Sequence, residues 1–338
     1  MKKALITGVA GQDGSYLAEL LVGKGYDVFG LVQQRMDRSY VPAAVHTLFG
    51  DLTDSESLKV AVQAAVPDEV YNLAGVTDLK TAYAKPEMTW KINYESVGVL
   101  LDASLKINPH VRFFQASSAE IFLPSPFPLN EESSRDWDTK NPYAIAKMSA
   151  DRDFIVGSRE KREAFACSAF LFNHESPRRS AAFVTRKITR TLAKVELGLA
   201  SCLSIGNIEM SRDWGFAGDY VAAMWKMLQL DTPQDFVIAT GKLHTVRDAI
   251  NIAAQTLGLE LVWHGEGMQT YAVDSAGKKI VEVEPELYRP IATSPKVGNI
   301  CKAEKIMDWK PTVDFRALVE MMIKSDLAEL PPDVDASA

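Results

Sequence analysis

Tyr143 and Lys147 are the residues best placed by type and spacing to do chemistry, within Asn141-Pro142-Tyr143-Ala144-Ile145-Ala146-Lys147. Four residues apart on a helix, they share a face. Pro142 suits a helix start, where its missing N–H is no loss. An ammonium beside a phenol stabilises the phenolate, so the pair predicts a Tyr143 pKa below its ordinary value and a hydroxyl able to act as a base nearer neutrality. Alone, Tyr-x-x-x-Lys is more often an ordinary helix pair than a site. Three other features weigh against that reading: a glycine-rich N-terminus, Ser118-Ala119-Glu120 upstream, and basic and aromatic motifs downstream.

The elements that must position these residues follow from the chain in order. Lys3–Thr7 reads as a buried parallel strand running into Gly8-Val9-Ala10-Gly11-Gln12-Asp13-Gly14 and a helix over Ser15–Lys24. Glycines at this junction let the backbone approach a pyrophosphate, and the helix N-terminus offers N–H donors. Gly8, Gly11, Gln12, Asp13 and Gly14 are therefore expected to hold a dinucleotide. After a second strand, Tyr26–Val32, comes Gln33-Gln34-Arg35, where an NAD-reading enzyme usually has a carboxylate for the ribose. The missing carboxylate, with Arg35 and Arg38 nearby, favours a 2′-phosphate and hence NADP. Asp51, followed by Leu52 and Thr53, can accept from an adenine amino group, and Leu73-Ala74-Gly75 ends the fourth strand with small residues that pass beneath a cofactor.

A helix over Trp90–Lys106 carries Asn93, and the fifth strand, Arg112–Ala116, ends in Ser117-Ser118-Ala119-Glu120. Ligands of open α/β sheets sit at strand C-termini, so Ser118 and Glu120 project from the expected site. Strand and helix alternate through Phe172, which predicts an α/β fold: a right-handed, doubly wound parallel Rossmann sheet. Beyond it, Asn173-His174-Glu175-Ser176-Pro177-Arg178-Arg179 leads into Phe183-Val184-Thr185-Arg186-Lys187-Ile188-Thr189-Arg190. The basic run reads either as a solvated helix face or as a clamp for a diphosphate. Met210-Ser211-Arg212-Asp213-Trp214-Gly215 adds an arginine beside an aromatic. His174, with no acid–base partner at suitable spacing, reads as structural. Helices at Val246–Leu257 and Phe315–Leu330 bracket a loop-rich stretch with Tyr288-Arg289-Pro290. The expected division is residues 1–172 plus about 210–242 for the dinucleotide, residues 173–209 plus about 243–330 for a smaller mixed α/β substrate lobe, and a disordered tail at 331–338.

The 338 residues are 47% hydrophobic and 24% charged, with net charge −7. That balance suits a globular protein and argues against nucleic-acid or polybasic membrane binding. Cys167, Cys202 and Cys301 show no metal-binding spacing, and their odd number suits a reducing compartment; they read as buried small residues. Met-Lys-Lys runs straight into a strand pattern, with no leader-like segment, so a cytoplasmic place is expected.

Together these motifs resemble the extended short-chain dehydrogenase/reductase superfamily. Asn173–Arg179, Phe183–Thr189, Arg212-Asp213-Trp214-Gly215 and Phe236–Gly241 point more closely to its GDP-mannose 4,6-dehydratase branch, a resemblance covering about residues 3 to 325. The resemblance implies a hydro-lyase running an internal redox cycle with NADP on GDP-D-mannose. Tyr143 takes the C4 hydroxyl proton as hydride leaves C4, Glu120 takes the C5 proton and returns one to the departing C6 hydroxyl, and hydride comes back to C6. The product is GDP-4-dehydro-6-deoxy-D-mannose. Ser118 is implied to bond the C4 oxygen and Lys147 the nicotinamide ribose, while Asn173, Val184, Lys187, Arg212 and Arg289 hold the diphosphate and nucleoside.

Four departures stand out. Ser118 replaces the family's usual Thr. Gln33-Gln34 stands in a short loop where the family has two arginines in a longer loop that reaches a neighbouring subunit. Val76-Thr77-Asp78 replaces Gln-Ser-His, and Ile291-Ala292-Thr293 replaces an acidic position. A related GDP-sugar such as GDP-manno-heptose would keep the same C4, C5 and C6 chemistry. A reductase or epimerase of the same fold, or a non-catalytic NADP sensor, are the other readings; Glu120 discriminates against the first, and the complete set Ser118, Glu120, Tyr143 and Lys147 against the second. Superfamily members commonly pair through helices matching Trp90–Lys106 and Tyr143–Lys161, which implies a homodimer or homotetramer.

Overall fold

Short apolar runs alternate with amphipathic helices, and parallel strands buried on both faces need such helices to cover them. The computed structural model describes residues 1–289 and 295–330. Pro290, the departure at Ile291-Ala292-Thr293 and the tail expected at Pro331–Ala338 lie outside them.

The first half runs β1 (Lys3–Thr7), α1 (Gln12–Gly23), β2 (Asp27–Val32), β3 (His46–Phe49), α2 (Ser55–Ala65), β4 (Glu69–Asn72), α3 (Leu79–Ala84), α4 (Pro86–Trp90), α5 (Ser96–Ile107), β5 (Arg112–Ser118), α6 (Pro142–Ala150), α7 (Gly157–Arg162) and β6 (Phe165–Leu171). The second runs β7 (Asn173–Glu175), α8 (Val184–Glu196), β8 (Leu203–Ile205), β9 (Ser211–Arg212), β10 (Trp214–Phe216), α9 (Ala217–Met227), β11 (Phe236–Ile238), β12 (His244–Thr245), α10 (Val246–Thr256), β13 (Val262–His264), β14 (Tyr271–Val273), β15 (Lys279–Val283), α11 (Cys301–Met307) and α12 (Phe315–Glu329).

Seven strands form one parallel sheet in the order β11–β6–β5–β4–β1–β2–β3. The winding reverses between β1 and β4, so a crevice opens at their C-terminal ends. Polar side chains tie that edge together: Thr7 donates to Asn72 at 2.6 Å, Asn72 donates to Gln115 at 2.8 Å, and the Thr7 hydroxyl accepts from the N–H groups of Leu73 and Ala74. A second sheet, β13–β14–β15–β8, packs with α8, α10 and α12 around Ile188, Leu192, Ile250, Val281, Leu318 and Met322. The pairs β7–β10 and β9–β12 lie outside both sheets.

Two helices differ from the sequence expectation. The helix expected over Trp90–Lys106 runs from Pro86 to Ile107 and contains a π-helical turn at Lys91–Glu95. A second π turn, Asp151–Val156, links α6 to α7. The first carries Asn93, whose side chain accepts from the Val76 N–H and donates to its carbonyl, both at 2.9 Å. π turns of this kind re-aim side chains, and they recur near functional sites. Of the cysteines, only Cys167 is buried; Cys301 is exposed, which corrects the reading of all three as buried. Among the described residues no helix is long and apolar enough to cross a membrane.

Candidate active site

The glycine loop lies at the switch crevice, between β1 and α1. Gly8 has φ +73°, and a Cβ there would stand 3.0 Å from the Ala74 backbone. A Cβ on Gly14 would stand 2.1 Å from the Gly8 carbonyl oxygen. The loop is therefore bare backbone in front of the first turn of α1, whose N–H groups lack partners within the helix. A dinucleotide pyrophosphate fits this cradle. Gln12 and Asp13 turn the other way and fasten the loop to β7 and the turn that follows it. Gln12 donates to the His174 carbonyl at 3.0 Å and accepts from Ser176 at 2.8 Å, and Asp13 meets His174 Nε2 at 2.8 Å. Arg178 lies over the Tyr16 ring and pairs with Glu19.

Asp51 accepts from Thr53 and from the Gln33 amide, so Gln33 is committed to Asp51, while Arg35 stands exposed after β2. Leu52 is half-buried beside Asp51, and Leu73 and Ala74 line the end of β4.

The four candidate catalytic residues converge at the end of β5. Ser118 closes the strand, and its hydroxyl accepts from the Glu120 N–H at 3.2 Å. Glu120 sits in the short 3₁₀ turn that follows. Tyr143 opens α6, where the Asn141 side chain caps the N–H groups of Tyr143 and Ala144 and Pro142 takes the first turn. Lys147 is buried one turn later and donates to the Ala116 carbonyl at 2.7 Å.

The expected fall in the Tyr143 pKa does not occur in this structure. Burial pushes the phenol up to about 12; the Ser118 hydroxyl opposes this and the Glu120 charge adds to it. Lys147 Nζ stands 5.9 Å from the ring centroid and points at Ala116 instead. Burial lowers Lys147 to about 8, offset in part by Asp151. Asp151 is itself raised by burial to about 6 and accepts from Ser117 and Ser168.

In front of Glu120 opens a cleft of about 410 Å³. Asn173, Arg212 and Arg289 line it together with Tyr83, Phe122, Asp136, Thr139 and Lys296. Val184 and Lys187, on the first turn of α8, are not among its lining residues. The basic run divides. Arg186 is buried and pairs with Asp326 and Glu329 of α12, and half-buried Arg190 pairs with the same two, so both are engaged by α12 and Arg186 is no solvated side chain.

Two residues were missed in the sequence. His174 does have an acid partner, Asp13, 161 residues away. Both lie in motifs already singled out, which is the signal that could have joined them. Lys296 reaches Glu120, and nothing in its neighbourhood of the sequence marks it.

A family model described as GDP-mannose 4,6 dehydratase matches residues 5–322. "GDP-mannose 4,6 dehydratase 2" of Caenorhabditis elegans is 41% identical, covering 98% of this chain and 91% of the relative. "GDP-mannose 4,6-dehydratase" of Yersinia enterocolitica is 40% identical over 97% of this chain and 95% of its own length. Among solved structures, the UDP-glucose 4-epimerase of Thermus thermophilus complexed with NAD superposes with TM-score 0.80 at 23% identity, covering 98% of this chain and all of that one. RMD from Pseudomonas aeruginosa complexed with NADPH does so at 0.79 and 21%, over 97% and 100%. These two show the fold. The match across nearly the whole chain, with relatives at about 40% identity over the same span, shows that this chain belongs to the GDP-mannose 4,6-dehydratase family.

Proposed function

We propose that the protein is a hydro-lyase that converts GDP-D-mannose to GDP-4-dehydro-6-deoxy-D-mannose and water, with NADP held in the glycine cradle. One observation carries the reading: Ser118, Glu120, Tyr143 and Lys147 meet at the end of β5, beside the cleft, in a chain of this family. A nicotinamide cofactor, when bound, would supply the acceptor and donor of hydride. The remaining work falls to the chain. Tyr143, with Ser118 at its hydroxyl, takes the C4 hydroxyl proton as C4 is oxidised. The 4-ketone acidifies C5. Glu120 takes the C5 proton and gives a proton to the C6 oxygen, which leaves as water. C6 then receives the hydride and C5 a proton, so the sugar has lost one water and no net reducing equivalents. Lys147, held on the Ala116 carbonyl one turn from Tyr143, is the residue that would bond the nicotinamide ribose.

Gly8, Gly11 and Gly14 favour a pyrophosphate by their bare backbone. The absence of a carboxylate at the end of β2, with Arg35 beside it, supports NADP over NAD. We assign residues 1–172 plus about 210–242 to the cofactor lobe and residues 173–209 plus about 243–330 to the GDP-sugar lobe. The concave surface lined by Pro86, Trp90, Lys91, Pro142 and Ile145, on the helices expected to pair, supports a homo-oligomer, at least a dimer. A second reading is the same chemistry on GDP-manno-heptose, which keeps the C4, C5 and C6 chemistry; the cleft of about 410 Å³ has Asp136 and Thr139 in its lining along with Glu120.

The test is mass spectrometry of GDP-mannose incubated with the protein and catalytic NADP+ in heavy water. A product lighter by one water, with one deuterium gained and no net NADPH, is expected. Net NADPH formation would instead mean a plain dehydrogenase, and an inert GDP-mannose with a reactive GDP-manno-heptose would move the substrate.

A further inference from the structure

Glu120 does not stand alone at the cleft. Lys296 Nζ lies 3.7 Å from its Oε2 and donates to its main-chain carbonyl at 3.3 Å, so one ammonium meets the residue at both ends. The lysine side chain is 19% exposed and the glutamate 40%. Its position is fixed from behind. The Leu129 N–H donates to the Val297 carbonyl at 2.8 Å, the Asn299 N–H to the Leu129 carbonyl at 2.7 Å, and the Gly298 N–H to buried Asp213 at 3.1 Å. A Cβ on Gly298 would stand 2.3 Å from the Ala239 methyl, which leaves that strand little room to shift.

We propose that Lys296 is a positioning residue for Glu120: its ammonium, held against both the carboxylate and the main-chain carbonyl, fixes the direction in which the carboxylate faces the cleft. The inference rests on the reading of Glu120 given above. A base at C5 acts only when its oxygen stands within reach of the C5 hydrogen, and an ammonium against the side chain limits the directions it can take. The other charged and titratable groups around Glu120 are Tyr143 from α6, Asp136 from the loop before it, Arg212 from β9 and Arg289 at the cleft rim. Among the described residues, Lys296 is the one that forms an ion pair with the Glu120 carboxylate and a hydrogen bond with its main-chain carbonyl.

The test compares wild type, Lys296→Met and Lys296→Arg by the kcat and KM of C5 deuterium incorporation into GDP-mannose in heavy water, with NADP+ present. In Lys296→Met the kcat of C5 exchange is expected to fall by about tenfold, the loss from a misdirected base, while the KM for GDP-mannose stays within about threefold. Lys296→Arg should recover most of that kcat. An unchanged kcat in Lys296→Met overturns the proposal, and a KM raised more than tenfold with an unchanged kcat overturns it in favour of a substrate contact. A wild type with no C5 exchange at any pH overturns the reading of Glu120 and this inference with it. Thermal unfolding of each variant controls for folding, and Lys296→Gln carries the same prediction if Lys296→Met does not fold.

Discussion

Replacing His174 by glutamine probes how the glycine loop is tied to β7. His174 Nδ1 meets the Phe172 carbonyl at 2.7 Å and Nε2 meets the Asp13 carboxylate at 2.8 Å. Both partners only accept, so the ring satisfies both when it donates from both nitrogens, as the imidazolium. It also stacks on Tyr220, with centroids 4.5 Å apart. Burial alone would lower the His174 pKa, but the charge and hydrogen bonds of Asp13 outweigh it and raise the value above the ordinary 6.5. Burial likewise works against the Asp13 carboxylate, and His174 outweighs it, holding Asp13 below its ordinary 3.8. A raised histidine gives stability that is complete below the unfolded pKa and is lost as pH rises through the folded one. A lowered aspartate gives stability present above its unfolded pKa and lost as pH falls through the folded one. The pair therefore contributes most between about pH 4 and 6.5. A charge-assisted bond of this kind is worth about 1.5–3 kcal/mol, and the side chains are only 11% and 21% exposed. For a chain of this length that is roughly 2–4 °C in Tm. Melting wild type and His174→Gln from pH 5.5 to 9.5 should show the wild-type advantage largest at the acid end and shrinking towards the alkaline end. A difference that is constant or grows with pH would refute the imidazolium.

Four further outcomes are expected. Tyr143→Phe should lower turnover of GDP-mannose by about 10²–10⁴-fold while NADP binding, followed by fluorescence titration, persists; wild-type turnover would sink the base assignment. Gly14→Ala places a Cβ 2.1 Å from the Gly8 carbonyl oxygen, and should lose about 1–3 kcal/mol in urea unfolding together with NADP affinity. Arg186→Met should destabilise by about 3–5 kcal/mol, because it strips the fully buried Asp326 of its nearest cation, and Asp326→Leu in the same chain should recover much of that. Asp151→Asn removes the negative charge that offsets the burial of Lys147, so an alkaline limb of kcat/KM near pH 8 should move to lower pH; a limb that stays or rises would show that Lys147 does not set it.

What was legible in the chain is what short-range physics specifies. A glycine at positive φ, a proline in the first turn and an asparagine at the N-cap each act on their own neighbours, so the cradle and the start of α6 could be read from a few residues. The alternation of strand and helix through Phe172 carried the parallel sheet in the same way. His174 and Asp13 lie 161 residues apart, and Lys296 and Glu120 lie 176 apart, so no spacing rule could pair them. The basic run at Arg186–Arg190 looked free because its acids sit on α12, more than a hundred residues later.

The Tyr143 pKa shows why a correct motif can carry a wrong sign. Helical spacing fixes which side chains are neighbours, but it does not fix where a long lysine ends. Lys147 has four rotatable bonds and a buried carbonyl within reach, and its ammonium takes the Ala116 oxygen. The attraction between an ammonium and a phenolate weakens as the two separate, whereas the desolvation of the phenolate depends only on what surrounds Tyr143. With the phenol buried and the Glu120 charge facing it, burial outweighs the lysine, and the phenol sits at about 12. A positive charge beside so buried a phenol would lower its pKa; an oxidised nicotinamide ring would carry such a charge and a reduced ring would not, so on the proposed reading the cofactor state that the first step requires would also favour the Tyr143 phenolate.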